Sequence, residues 1–315
     1  MMKVSVVIPV YNVEQYIGRC LESVLTQSYE NIEVVVVNDA TPDRSMEVVR
    51  QYQAKDKRIK VLEHTTNSGQ MTTRRDGFEA ATGDYIFALD SDDCLAPRAI
   101  EKLVNRAKQG FPDIVVGQLL KKMVNGNTLL IASNPLDSSH KEQIYKALLE
   151  EKLKHSVAGK LFRASLLREK SIQTFEHATL SEDGCLFYQL VALCNRIVTL
   201  DEVVYYYMEN KASSTNVAYS EKQVESVIIA NRVMASCVAP YPSLKRLADH
   251  KFTFNIFRLY MEKISMRKLE GLIAKHHMTT YAFRPGNLQK LTMGDYWFLL
   301  KRFVLVRILW LKSKR

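Results

Sequence analysis

Two stretches of the chain, VSVVIP at 4–9 and IEVVVVN at 32–38, are nearly unbroken runs of β-branched residues. Strands with one wet face alternate apolar and polar positions, whereas continuous runs of this length belong to strands buried on both faces of a parallel sheet. Parallel neighbours need a crossover, and residues 13–28 supply one, with Ile17, Leu21, Val24 and Leu25 at helical spacing. The same alternation predicts helices over 44–54, 71–81 and 97–108, and strands over 59–63, 84–89 and 113–117. Pro97 suits the first turn of its helix, and Gly83 and Gly110 stand where helices stop. Such a chain folds as a doubly wound α/β sheet, and its ligands lie in the crevice beyond the strand carboxyl ends.

After Gly117 the rhythm changes. Asn125-Gly126 sits between two strand-like stretches and predicts a hairpin. A helix is expected over 141–151, followed by AGKLFRASLL (158–167), SEDGCLFYQLVAL (181–193) and the aromatic run VVYYYM (203–208). From Glu221 onward the pattern is mainly helical, which divides the chain into a domain over 1–215, with halves 1–117 and 118–215, and a helical region over 216–315.

Three strand ends open on one edge of this sheet. The first delivers Pro9 and Tyr11, the second Asn38-Asp39-Ala40-Thr41-Pro42-Asp43, and the fourth Asp90-Ser91-Asp92-Asp93. An aromatic face beside a hydrogen-bond acceptor suits a nucleobase. Several Asp oxygens together suit a hard divalent cation, which in turn holds a diphosphate. Each piece also has a plainer reading. Asp39 and Asp43 are good turn or cap residues, Tyr11 a packing residue, and Asp93 a cap for the following helix. None of these relieves Asp90, which directly follows Leu89 at the end of an apolar strand, where an unpaired carboxylate is costly.

Taken in order, VSVVIPVYN, VVVNDATPD, NSGQMTTRRDG, ATGDYIFALDSDD, GKLFRASLL and SEDGCLFYQL resemble the motifs of glycosyltransferase family 2, over about residues 3–210. The resemblance implies the GT-A fold, with a Rossmann-like nucleotide-binding half, and inverting sugar transfer of the bacterial surface-polysaccharide type. It implies that Pro9 and Tyr11 line the nucleobase pocket, and that Asp39 accepts the base imide proton. Asn67 and Gly69 match the loop after the third strand, and Arg74 the basic residue beside the donor. Asp90 and Asp92 match the DxD pair that binds Mn2+ or Mg2+, Asp92 being the more direct ligand, with Asp93 steadying the turn. Two positions depart from the pattern: Asn38 replaces a frequent Asp, and Arg75 adds a positive charge where Asn is usual.

An inverting transfer needs a carboxylate to deprotonate the acceptor hydroxyl. By itself Ser181-Glu182-Asp183 reads as a helix start, with Ser181 as N-cap and acids in the first turn. The resemblance instead implies Asp183 as the base, with Glu182 contacting acceptor or structure. Lys160 reads either as a substrate contact or as a lysine snorkelling to the surface. His177 reads as an ordinary loop residue.

Charge is uneven along the chain. From Lys245 on lie 16 of the 44 basic residues but only 4 of the 34 acidic ones, leaving 28 and 30 in the rest. The tail YWFLLKRFVLVRILWLKSKR (296–315) has no apolar run long enough to span a bilayer. It reads either as a packed terminal helix or as a peripheral contact with anionic membrane, and lipid-linked acceptors in the family favour the second. The N-terminal apolar run is too short for a signal peptide, and five cysteines without a CxxC pair fit a reducing cytoplasm.

These features predict a metal-dependent transferase moving sugar from a nucleotide-diphosphate donor, a UDP-sugar, to a saccharide or lipid-linked saccharide acceptor in polysaccharide or capsule assembly. It would act in the cytoplasm or at the inner membrane face, without nucleic-acid partners. A sugar nucleotidyltransferase would carry a Gly-rich basic loop after the first strand, which VIPVYNVEQY lacks. A catalytically silent sugar-nucleotide-binding scaffold of a glycan synthase would have no need of Asp90, Asp92 and Asp183 together.

Overall fold

The computed structural model describes residues 1–169, 171–173, 181–210 and 220–261. The basic tail 296–315, its proposed membrane contact and His177 lie outside the described residues. The chain divides into two compact units, the first being Met1–Ser226 and the second beginning at Val227.

The first unit is built on one mixed sheet. Strands β1 (Val4–Val10), β2 (Ile32–Asn38), β3 (Ile59–Glu63) and β4 (Tyr85–Ala88) are mutually parallel in the order β3-β2-β1-β4. All seven residues of β1 and all seven of β2 are buried, as their unbroken apolar runs require. Beyond β4 the sheet continues through β9 (Lys160–Arg163), which is antiparallel to both of its neighbours, then β6 (Ile114–Lys122) and β10 (Ile197–Met208). Because β9 reverses direction twice over, β6 and β10 run parallel to β4, and their carboxyl ends open on the same edge as Asp90.

Helices cover both faces. Helix α1 (Ile17–Leu25) buries Ile17, Cys20, Leu21 and Val24 against Val4, Val6, Ile8 and Val10. Burying its three large aliphatic side chains contributes roughly 5–9 kcal/mol before chain entropy is counted. On the other face, α3 (Gln70–Ala80) lies so close to the sheet that a Cβ on Gly77 would stand 2.3 Å from Val7 Cγ1 and 3.0 Å from Val37 Cγ2. This close approach sets the depth at which Arg74, one turn earlier, meets the sheet edge.

Some expectations shift. The hairpin at Asn125-Gly126 forms, but β6 runs on to Lys122 because β7 (Thr128–Ile131) pairs with Leu119–Lys122. Helix α4 (Ala99–Ala107) begins two residues after Pro97, since Arg98 adopts a left-handed conformation (φ 58°) between them. The acid turn leads not into this helix but into the two-residue strand β5 (Cys94–Leu95), paired with β10. Asp93 therefore caps no helix.

Helix α5 (Lys141–Leu149), the short helix α6 (Ala164–Leu167) and helix α7 (Glu182–Leu193) lie in the described part of residues 118–215. In the second unit, the carboxyl-terminal part of α8 (Glu221–Val238) and α9 (Lys245–Met261) are joined by a short 3-10 turn, Pro242–Leu244. Buried Asn231 accepts a hydrogen bond from Asn255 Nδ2 at 2.8 Å.

Candidate active site

The carboxyl edge of the sheet gathers two clusters, linked by the start of α3. The first surrounds Asp39, which follows β2 and is 3% exposed. Its Oδ1 accepts from the Ser68 amide at 2.7 Å and faces His64 Nδ1 at 3.0 Å, and its Oδ2 accepts from the Gly69 amide at 2.9 Å. Gly69 stands at the N-cap of α3 with φ 83°, a region that side chains disfavour, and so can turn its amide onto Asp39. Asn67, two residues earlier, is exposed. Pro9 is a buried strand residue, while Tyr11 just beyond β1 is 47% exposed and presents its ring at the edge.

The second cluster centres on Arg74, which is 3% exposed. Its Nη2 donates to Asp90 Oδ1 at 2.5 Å and its Nη1 to Asp183 Oδ1 at 2.6 Å. A single planar guanidinium thus joins the end of β4 to the first turn of α7, a geometry that a lysine ammonium does not reproduce. Burial opposes the charge on Arg74, but Asp90 and Asp183 outweigh it and hold the group firmly protonated. Its buried Nε has no hydrogen-bond partner. Gln70 Nε2 reaches Asp90 Oδ1 at 3.2 Å, so consecutive residues Gly69 and Gln70 touch Asp39 and Asp90.

Asp183 is held on its other side as well, where Oδ2 accepts from the Val157 amide at 3.2 Å. Ser181 does occupy the N-cap position of α7, but it is left-handed (φ 65°) and its side chain makes no capping bond. Glu182 beside it is partly buried, and burial first, then Asp183, push its carboxyl up to about 7.

Within the acid turn the burial order is the reverse of what the sequence suggests. Asp90 keeps a quarter of its side chain exposed, whereas Asp93 is 1% exposed. Asp93 accepts from Tyr205 Oη at 2.7 Å and from the Met208 amide at 2.7 Å, clamping β10 to the turn. Burial, then Asp90 and Asp92, push its carboxyl up to about 8, so protonation and two donors relieve the repulsion that three adjacent acids would create. Asp92 accepts from Asn210 Nδ2 at 3.2 Å, and its carboxyl too is raised, by burial and then by Asp90.

Asp90 and Asp92 are the residues that would hold a divalent cation. Among the described residues no group of three or more His, Cys, Asp and Glu side chains has ligand spacing. The donor set is instead two carboxylates, oxygen ligands suited to Mg2+ or Mn2+ with other positions left to diphosphate and water. The carboxyl of Asp92 stays raised although the Asn210 amide and the nearby Arg19 favour its charge, which marks negative charge that a cation would balance. The residues fit the ion.

Several members of the site lack a local sequence signal. Asn210, which also accepts from Tyr16 Oη, and Tyr205 reach the acid turn from 118 and 112 residues away. Gln70 stands inside a motif but has no property that singles it out. Lys160 is not a snorkelling lysine, because its side chain is fully buried. The extra charge of Arg75 is paired with neighbouring Asp76 at 3.2 Å, and Asn38 bonds Glu63 and the Thr41 amide within the turn.

The profile of glycosyl transferase family 2 matches residues 5–175, more than half of the chain. The chain belongs to this family. GlyA of Streptococcus pneumoniae serotype 4 is 31% identical over 262 residues, covering 79% of this chain and 37% of GlyA. The poly(ribitol-phosphate) beta-glucosyltransferase of Bacillus spizizenii is 33% identical, over 69% of this chain and 34% of that enzyme. The chain thus spans little more than a third of these relatives. It also spans 64% of the Bacillus subtilis glycosyltransferase EpsJ, at 33% identity. Among solved structures, S. aureus TarS 1–349 in complex with UDP-GlcNAc superposes with a TM-score of 0.71 at 22% identity, over 87% of this chain and 80% of TarS 1–349. The fold is therefore GT-A, followed by the described helices α8 and α9.

Proposed function

We propose that the protein is a metal-dependent inverting glycosyltransferase. It moves a sugar from a UDP-sugar to a saccharide or lipid-linked saccharide acceptor in cell-surface polysaccharide assembly. The observation that carries this reading is the bridge from Asp90 through Arg74 to Asp183, which joins the donor end of the crevice to a carboxylate on a separate helix. The UDP-GlcNAc complex of TarS supports the choice of uridine donor, and the Mn2+ and GDP-Man complex of the Pyrobaculum calidifontis mannosyltransferase PcManGT (TM-score 0.56, 16% identity, 95% of this chain and 85% of that one) supports the metal.

In this reading Tyr11 stacks on the base. Asp39, with three of its roughly four acceptor positions engaged, offers the remaining one to the imide N–H. Asp90 and Asp92 hold the cation, which when bound balances charge on the departing diphosphate. Asp183 takes the acceptor hydroxyl proton while that oxygen attacks the anomeric carbon from the face opposite the diphosphate. Arg74 orients Asp183, and partly protonated Glu182 lines the acceptor side.

The test is a panel of nucleotide sugars, with and without Mn2+ or Mg2+, followed by release of nucleoside diphosphate. Asp183→Asn is expected to bind UDP as the wild type does and to lose turnover by a factor of at least about 100. Wild-type turnover by that variant would refute the base, and UDP binding without any turnover in the wild type would favour the scaffold reading.

A further inference from the structure

Lys160, at the start of β9, is 0% exposed. Its Nζ donates to the carbonyl oxygens of Ser156 and, at 3.5 Å, of Ala158, and it lies 4.8 Å from the centroid of the Phe187 ring on α7. Lysine is rarely buried without a carboxylate partner, because desolvating an ammonium is costly. Here the side chain folds back on the turn that precedes it. That turn contains Val157, whose amide donates to Asp183 Oδ2, while Arg74 takes the other oxygen.

We infer that Lys160, in its charged form, is a positioning residue for Asp183, clamping the Ser156 and Ala158 carbonyls so that the Val157 amide between them aims the carboxylate. The inference rests on Asp183 being the base. Two fixed donors, one from α3 and one from the 156–158 turn, leave that carboxylate a single orientation, and a base displaced by about 1 Å loses on the order of 100-fold in rate. The ring of Phe187 helps hold the cation, together with the through-space pull of Asp183.

Burial lowers the pKa of Lys160 to about 7, and Asp183 acts in the opposite direction. The charged clamp is therefore complete below neutral pH and is lost as pH rises through that value. Among the described residues, the other titratable or charged groups around Asp183 are Glu182 on α7, Arg74 on α3, Asp90 beyond Arg74, and His155, which precedes the turn and packs against Gly184. Of these, Glu182 also titrates near 7. A variant of each residue separates the two.

The experiment measures UDP release from UDP-GlcNAc by the full chain between about pH 5.5 and pH 9, together with the amide resonance of Val157 over the same range. In the wild type the rate is expected to fall, and the Val157 resonance to shift, as Lys160 loses its proton. Lys160→Met, apolar and of similar length, should keep UDP affinity, lower kcat about 10- to 100-fold and abolish both pH effects. Glu182→Gln should retain both. A wild-type Val157 resonance that stays constant from about pH 6 to pH 9 overturns the inference without any variant or substrate, as does wild-type kcat in Lys160→Met. Full turnover by Asp183→Asn would overturn the base assignment instead. Loss in Asp183→Asn beside an unaffected Lys160→Met would sink the clamp alone.

Discussion

Replacing Arg74 by Met removes one buried cation and leaves two carboxylates, Asp90 and Asp183, without their shared donor. Each bond is charge-assisted and short, 2.5 Å to Asp90 and 2.6 Å to Asp183. Such bonds contribute about 1.5–3 kcal/mol each. The two carboxylates are 25% and 24% exposed and can rehydrate, so the lower end applies and the loss should be about 3 kcal/mol. For a unit of this size that is a fall in Tm of roughly 6–12 °C. Thermal unfolding followed by circular dichroism would measure it. A double-mutant cycle with Asp183→Asn should show coupling of about 1–2 kcal/mol, since both substitutions break one bond. UDP release should fall at least about 100-fold, because both the Asp90 turn and the proposed base Asp183 lose their alignment. If Arg74→Met melted within about 2 °C of the wild type, or if the two substitutions were additive, the bridge would not hold the site together.

Three further outcomes follow from the same packing. Glu33 is 3% exposed and accepts from Ser5 Oγ at 2.5 Å, from the Thr82 amide and hydroxyl, and from Lys3 and Lys60. Glu33→Ala removes the acceptor of the buried Ser5 hydroxyl proton and of the Thr82 amide and should cost about 2–4 kcal/mol in urea unfolding. Burial would raise the Glu33 carboxyl, but hydrogen bonds from Ser5, Thr82 and Lys3 outweigh it and hold the group far below its usual range. Its stabilisation is therefore complete above about pH 4.5 and is lost as pH falls below that, so the wild type should lose more stability than Glu33→Ala on acidification, and equal slopes would refute this. Gly77→Ala should push α3 off Val7 and Val37, costing about 1–3 kcal/mol and lowering kcat through Arg74; an unchanged Tm would show that the helix shifts freely.

The site divides sharply between what is local and what is not. The runs at 4–9 and 32–38 could be read as buried parallel strands because burial on both faces leaves no polar position to alternate. Position at a strand end located Asp39, Asp90 and Asp92, and ordered motifs supplied Arg74, Glu182 and Asp183. The sequence order of burial in the acid turn misled, because Asp93 is enclosed by β10, a strand more than a hundred residues away whose arrival beside β5 is invisible in the turn itself. Lys160 misled for a related reason. Its surroundings come from α7 and from the turn before β9, and neither leaves a mark on the motif GKLFR beyond the lysine.

The sequence by itself determined the parallel half of the sheet, the edge on which polar groups collect and the types of group found there, because strand burial, helical period and turn chemistry act over a few residues. Only the tertiary structure decided which carboxylate meets which cation. Arg74 could have served the donor alone; it is the closeness of α3 to the sheet at Gly77, and the placement of α7 opposite, that make it the link between Asp90 and Asp183. Those distances depend on packing between elements far apart in the chain, and no periodicity records them.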